Sequence, residues 1–240
     1  MKKIFYSTIV PSFILVCVGI LSIAFLPQKT LTGGYEANSN NGQEAIIFQD
    51  GYFMHTSYNI NQKKFNYSQG GTFQVTPDSL ILNIEFSTQS KDDVGTRKSW
   101  AIKTGGDRLS VVRPEASLSF KKVDEGNTAL AGNWRITGRK QGETMSQMQR
   151  GSRKTLKLLS GTRFQWAAIN PETKEFFGTG GGTYTFKDGK YTETIQFFSR
   201  DSSRVGATLS FDGAVKGNDW HHSGLSSKGD PIYEVWSREK

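Results

Sequence analysis

Glu193 and His222 are the residues whose types and spacing could do chemistry together. In Lys190–Phe198 the apolar set is Tyr191, Ile195 and Phe197, and Glu193 falls on the same face. In 219–226 Trp220 faces inward, and His222, two residues on, goes with it. A carboxylate and an imidazole on one interior surface can form an acid–base pair, a polar anchor for a ligand, or a structural hydrogen-bonded tie. A buried carboxylate is unfavourable unless paired, so Glu193 calls for a partner, with Arg163, Arg238 and His222 as candidates. Phe164, Trp166, Tyr191 and Trp220 would supply the apolar lining of a binding pocket around them, with Arg163 beside them.

Other chemistries find less support. No serine or second carboxylate is placed to complete a hydrolytic site, so the chain reads as a non-enzyme, with an unrecognised hydrolase as the remaining alternative. His221 and His222 are neighbours on a strand and point to opposite faces, so the pair is poorly placed to hold one metal ion. Haem on a single histidine is an open alternative, and no cofactor is otherwise implied. Cys17 is the only cysteine, which excludes disulfides and thiol catalysis from everything after it.

The elements that must position these residues are short strands. Gly-centred turns separate aromatic and β-branched runs, and no run has clear 3.6-residue periodicity. In the second half, strands are expected at 132–139, 154–159, 163–169, 182–187, 190–198, 205–216, 219–226 and 232–238. Asn170 to Lys174 reads as a turn, Asp188-Gly189 as a two-residue type I′ hairpin, and the glycine run 178–182 as a turn or bulge. Sequential hairpins without helices predict an up-and-down meander that closes into a barrel.

The chain repeats itself. At an offset of 111 residues, Gly70-Gly71-Thr72 matches Gly181-Gly182-Thr183, Ile84 and Phe86 match Ile195 and Phe197, and Val94-Gly95 matches Val205-Gly206. With gaps the match extends upstream, where Leu31 to Tyr35 pairs with Leu130 to Trp134 and Gly51 to Phe53 pairs with Gly161 to Phe164. Two modules are expected, 29–125 and 129–240. The repeat sets Glu193 against Leu82, Trp220 against Leu109 and His222 against Val111, so the first interior is expected to be greasy and filled where the second is polar. Lys98 against Leu209 does not fit that scheme.

Residues 1–28 stand apart. Lys2 and Lys3 precede the uncharged stretch 4–26, long enough to cross a bilayer with its N-terminus in the cytoplasm. An uncleaved anchor and a signal peptide cut after Ser22-Ile23-Ala24 are both open. Either places the rest of the chain in the cell envelope or outside it, which argues against a nucleic-acid partner. The net charge of +8 is uneven: 127–240 holds 17 Lys/Arg against 11 Asp/Glu, while 29–126 is balanced. Six basic residues crowd 139–157 (Arg139, Lys140, Arg150, Arg153, Lys154 and Lys157), with Glu143 the lone acid. That stretch reads as a basic lid drawing an anionic or amphipathic ligand or lipid headgroups, or as a solvated loop.

Gly132-Asn133-Trp134 near the start of a meander resembles the lipocalin Gly-x-Trp signature, and Arg238 stands where its companion arginine would. Gly161-Thr-Arg-Phe-Gln-Trp166, Gly180-Gly-Gly-Thr-Tyr-Thr185, Lys190-Tyr-Thr-Glu193 and Asp219-Trp-His-His-Ser-Gly224 resemble a family of bacterial lipocalin-like domains of unknown function, described as membrane or secreted proteins. The resemblance implies a calycin-type barrel with Arg238 packed over Trp134, and carries over no catalytic residue. The first module departs from it with Tyr35 in place of Trp134. The expected architecture is two tandem lipocalin-like antiparallel barrels after a hydrophobic segment. The expected function is a small apolar or amphipathic ligand in the second barrel, and the alternative is an interaction protein with two solid barrels.

Overall fold

The structure, a computed structural model, describes Met1, Lys3 and residues 30–113, 117–226 and 228–239. The stretch 4–26, Cys17 and the Ser22-Ile23-Ala24 site lie outside the described residues. Among those described, no helix is long and apolar enough to cross a membrane.

Both halves are antiparallel meanders. The first comprises β1 (Gly33–Ser39), β2 (Gly42–Gln49), β3 (Tyr52–Asn59), β4 (Lys64–Val75), β5 (Ser79–Ser87), β6 (Arg97–Gly105), β7 (Arg108–Val112) and β8 (Ser117–Lys122). β1 pairs with β8 and closes the barrel, so neither edge is left open. The second comprises β9 (Gly132–Gln141), β10 (Thr144–Gln147), β11 (Lys154–Leu159), β12 (Arg163–Asn170), β13 (Glu175–Lys187), β14 (Lys190–Phe198), β15 (Thr208–Lys216), β16 (Asp219–Leu225) and β17 (Pro231–Arg238). β9 pairs with β17 and closes an eight-stranded barrel, while β10 folds back on β9 beyond the end of its pairing with β11.

Three local expectations meet the structure differently. Asp188 and Gly189 both have positive φ, 51° and 72°, as a type I′ turn requires. The glycine run 178–182 is strand, not turn, with the ladder slipping between Gly181 and Gly182 as a bulge. There a Cβ on Gly182 would stand 2.0 Å from Thr194 O, and one on Gly71 in the first barrel 1.9 Å from Asn83 O, so the repeated glycines answer to the same close backbone approach. The basic stretch 139–157 is not one loop: it is the β9–β10 hairpin, the segment 148–153, and the start of β11.

The floor of the second barrel is aromatic. Trp134, Phe164, Tyr184, Tyr191, Phe211, Trp220 and Trp236 are buried in one cluster. Arg238 lies over Trp134 with its guanidinium carbon 4.0 Å from the ring centroid and donates to Ala131 O at 2.6 Å. The indole N–H of Trp134 donates to Leu130 O at 2.8 Å.

The barrels pack side by side through their outer faces. Ile47, Tyr52, Met54 and Phe86 of the first meet Leu156, Leu158, Ala167 and Ile169 of the second. Phe86 stacks on Phe176, with centroids 6.1 Å apart, and Phe65 faces Phe197 at 6.4 Å. Phe65 and Phe176 are equivalent at the 111-residue offset, as are Phe86 and Phe197. The contact is therefore pseudo-two-fold, like the isologous interface of a dimer. Gln165 threads the middle: it accepts from Thr56 at 2.8 Å and donates to Ser68 at 2.7 Å and Thr179 at 3.0 Å.

The linker between modules is pinned. Asp124 accepts from the backbone N–H of Gly34, Gly126, Gly161 and Thr162 and from the hydroxyls of Ser160 and Thr162. Burial works to raise its pKa, but these donors outweigh it and hold the carboxyl below its ordinary value.

Candidate functional site

The second barrel holds a cavity of about 740 Å³ that opens at one end. Its walls alternate along each strand. Along β16 the inward residues from floor to mouth are Trp220, His222 and Gly224; along β17 they are Trp236, Glu234 and Ile232; along β14 they are Tyr191, Glu193 and Ile195. Three layers follow: the aromatic floor, a polar layer of Lys157, Glu193, His222 and Glu234, and an apolar collar that includes Ile195, Leu209 and Ile232. Arg139, Arg153, Lys154 and Arg200 also line the cavity, toward its mouth.

The partner of Glu193 is Lys157. Its Nζ donates to Glu193 Oε2 at 2.9 Å, and Tyr191 OH donates to the same oxygen at 2.8 Å. None of the three expected partners fills that role. Arg163 alternates with Phe164 and points out of the barrel, where it pairs with Glu36 and donates to Gln196 Oε1 at 2.8 Å. Arg238 stays over Trp134. His222 shares the layer with Glu193 without a hydrogen bond to it.

Lys157 is caged. Its Nζ lies 4.7 Å from the ring centroid of Tyr191, 5.0 Å from Phe164, 5.4 Å from Trp220 and 5.9 Å from Trp236. Four π faces and one carboxylate thus replace the hydration shell of the ammonium.

His222 is 3% exposed, and neither ring nitrogen has a hydrogen-bond partner among the described residues. Glu234 Oε2 stands 3.6 Å from its Nδ1, beyond hydrogen-bond reach. Burial lowers the imidazole pKa, and the Lys157 charge adds to that against the opposing pull of Glu234 and Glu193, so the ring is neutral at pH 7. Glu234 is held elsewhere: Arg139 donates to its Oε1 at 2.6 Å and the Trp236 indole to its Oε2 at 3.0 Å. Burial would raise the Glu234 pKa, but in acid, where His222 can take up a proton, that ring and the Arg139 guanidinium outweigh burial and lower it.

The sequence-derived residues thus divide. Glu193, His222, Trp166 and Phe164 line the cavity, while Trp220 and Tyr191 lie beneath it as floor and cage. Arg163 belongs to the contact between barrels. Lys157 and Glu234 were missed. Of the six basic residues in 139–157, Arg139, Arg153, Lys154 and Lys157 line the cavity. Arg150 pairs instead with Glu239 and Lys140 with Glu143.

The first barrel shows why the second is hollow. Strand pairing sets Ile46 in the place of Lys157, Leu82 in that of Glu193, Val111 in that of His222 and Leu118 in that of Glu234. At this layer the first interior is apolar, as expected. One layer higher, at places which that expectation did not cover, the first interior is polar. His55 Nε2 lies 2.7 Å from Glu44 Oε2, and Arg113 donates to Glu44 at 3.0 Å and to Tyr67 OH at 3.0 Å. Gln69 Nε2 lies 3.4 Å from His55 Nδ1. This buried network plugs the end of the barrel. The places of Glu44, His55, Tyr67, Gln69 and Arg113 are taken in the second barrel by Thr155, Trp166, Gly178, Gly180 and Gly224. Three of the plugging side chains have become glycines, and the Trp166 indole lies over one of them, 2.8 Å from where a Cβ on Gly180 would be. Lys98, the misfit in the repeat, is half-exposed in an ion pair with Asp93 at 2.9 Å.

No model of a known protein family matches the chain, and no curated protein matches it.

Proposed function

We propose that the chain is a non-catalytic binding protein of the cell envelope, built from lipocalin-like barrels, whose second barrel holds a small amphipathic anion with an apolar body. The observation that carries this reading is the lost plug: three glycines and Trp166 stand where the first barrel keeps Tyr67, Gln69, Arg113 and His55, and a cavity of about 740 Å³ results. A volume of that size suits a small organic ligand. The charge lining it supports an anion. Glu234 and Glu193 balance Arg139 and Lys157, and Glu239 and Glu85 balance Arg135 and Lys154, which leaves Arg153 and Arg200. Among the described residues, the guanidinium of Arg200 is in no ion pair, and that of Arg153 lies over the Phe177 ring at 4.4 Å. The collar of Ile195, Leu209 and Ile232 and the faces of Trp166 and Phe198 would take the apolar body. The uncharged stretch 4–26 supports the envelope location and a membrane tether.

The test is a titration of the full chain, held in lipid nanodiscs, with decanoate while tryptophan emission is followed and empty nanodiscs serve as blank. Trp166 and Trp236 line the cavity and report on it. A saturable change is expected, and it should vanish in a Leu209→Phe/Ile232→Phe variant that fills the collar. No saturable change, or an unaltered one in the filled variant, overturns the reading in favour of a protein that works through its outer surface.

A further inference from the structure

The polar layer above the floor has no counterpart in the first barrel, where the same four places are Ile46, Leu82, Val111 and Leu118. An apolar ligand tail would gain nothing from it, and its presence says something about the ligand's buried end. Lys157 and Glu234 are satisfied by protein partners. His222 is not: it is almost wholly buried, it lines the cavity, and both its nitrogens lack a protein partner. Glu193 is half satisfied. Its bonds from Lys157 and Tyr191 both go to Oε2, and among the described residues Oε1 accepts none. A buried ring nitrogen and a carboxylate oxygen that face the same cavity select a group that can exchange hydrogen bonds with them.

We infer that the second barrel takes a two-ended ligand: an anionic head at the Arg153 and Arg200 mouth, an apolar body, and a hydroxyl at the inner end that bonds His222 and Glu193. This rests on the binding role proposed above and names the ligand's second polar group. An amine at the inner end would sit against the Lys157 ammonium, so a neutral hydroxyl fits better. A second carboxylate would meet Glu193 and Glu234 and is disfavoured for the same reason. Length follows from the strand. From His222 to Ser226 at the mouth is four residues, about 13 Å along β16 and less along the tilted barrel axis. That matches a ligand body of about ten carbons.

The decisive comparison is 10-hydroxydecanoate against decanoate on the full chain in nanodiscs, with binding read by tryptophan emission. The hydroxylated acid is expected to bind about tenfold more tightly. His222→Val installs the residue that the first barrel carries at this place and should bring the ratio of affinities close to one. His222→Gln keeps a hydrogen-bonding side chain and should retain part of the preference, which separates a lost contact from a disturbed fold. Equal affinities in the wild type, or a preference that survives His222→Val, overturn the inference while leaving the binding role intact. Failure of both acids to bind overturns the binding role and this inference with it.

Discussion

Lys157 Nζ meets Glu193 Oε2 at 2.9 Å in the place where the first barrel sets Ile46 and Leu82. One chain therefore contains both an ion pair and its apolar replacement at the same point of the same fold. Side-chain exposures of 6% and 11% leave little water to share the charge. Removing one member of such a pair strands the other, whereas replacing both by aliphatic groups removes the problem.

Lys157→Ile alone should destabilise the chain by about 3–5 kcal/mol, because it leaves Glu193 buried with only Tyr191 to bond it. Lys157→Ile/Glu193→Leu should recover to within about 1 kcal/mol of the wild type. Urea unfolding of the two singles and the double measures the coupling. Additive effects would show that the pair acts as two independent side chains.

Acid should loosen the first barrel through Glu44. Burial works to raise its pKa, but His55 and Arg113 outweigh burial and bring it from 4.5 to about 2. Because the folded-state pKa is the lower one, the stabilisation is present above about 4.5 and is lost as pH falls toward about 2. The loss is on the order of 3 kcal/mol at full protonation. Glu234 and Asp124 move in the same direction. Urea midpoints measured across this window should fall with pH, and Glu44→Gln should flatten the curve while lowering stability above it.

Asp124→Ala should loosen the joint between modules. The substitution takes the acceptor from four backbone N–H groups and two hydroxyls that bridge β1, the linker and the β11–β12 turn. A loss of about 3 kcal/mol or more is expected. Hydrogen exchange should show the amides of Gly34, Gly161 and Thr162 losing protection before those of the barrel walls. Uniform loss over the whole chain would show that the linker is not a separable element.

Arg238→Ala should uncover the barrel floor. The guanidinium covers the Trp134 ring and bonds Ala131 O. Its removal should reduce stability by about 1–2 kcal/mol and shift tryptophan emission to longer wavelength. An unshifted spectrum would show that Trp134 is shielded without it.

Strand order, hairpins and the inward faces of β14 and β16 were legible because those strands have one polar side. Glu193 and His222 could be placed from alternation alone. Lys157 could not. In Lys154–Leu159 the face opposite the interior packs on the first barrel, so Leu156 and Leu158 are as buried as any interior residue and alternation loses its contrast. In the sequence Lys157 reads as one more member of the basic stretch 139–157. The signal that could have found it is the repeat: carried back from Phe53 and Phe164 at the same offset, it sets Lys157 against Ile46. The plug of the first barrel escaped for a different reason. Arg113 follows the end of β7, outside any alternating run, and its partners Glu44 and His55 come from strands far away in sequence. The glycines 178 and 180 read as punctuation because a side chain's absence marks a turn as readily as a hollow.

The reciprocal contacts of Phe65 with Phe197 and of Phe86 with Phe176 have a bearing on how one barrel came to be empty. In a pair of identical subunits every substitution arrives twice, so carving out an interior would weaken both halves at once. Joined in a single polypeptide, the halves answer to different codons. One copy can remain solid and act as a buttress, and the other is free to trade self-sufficiency for room.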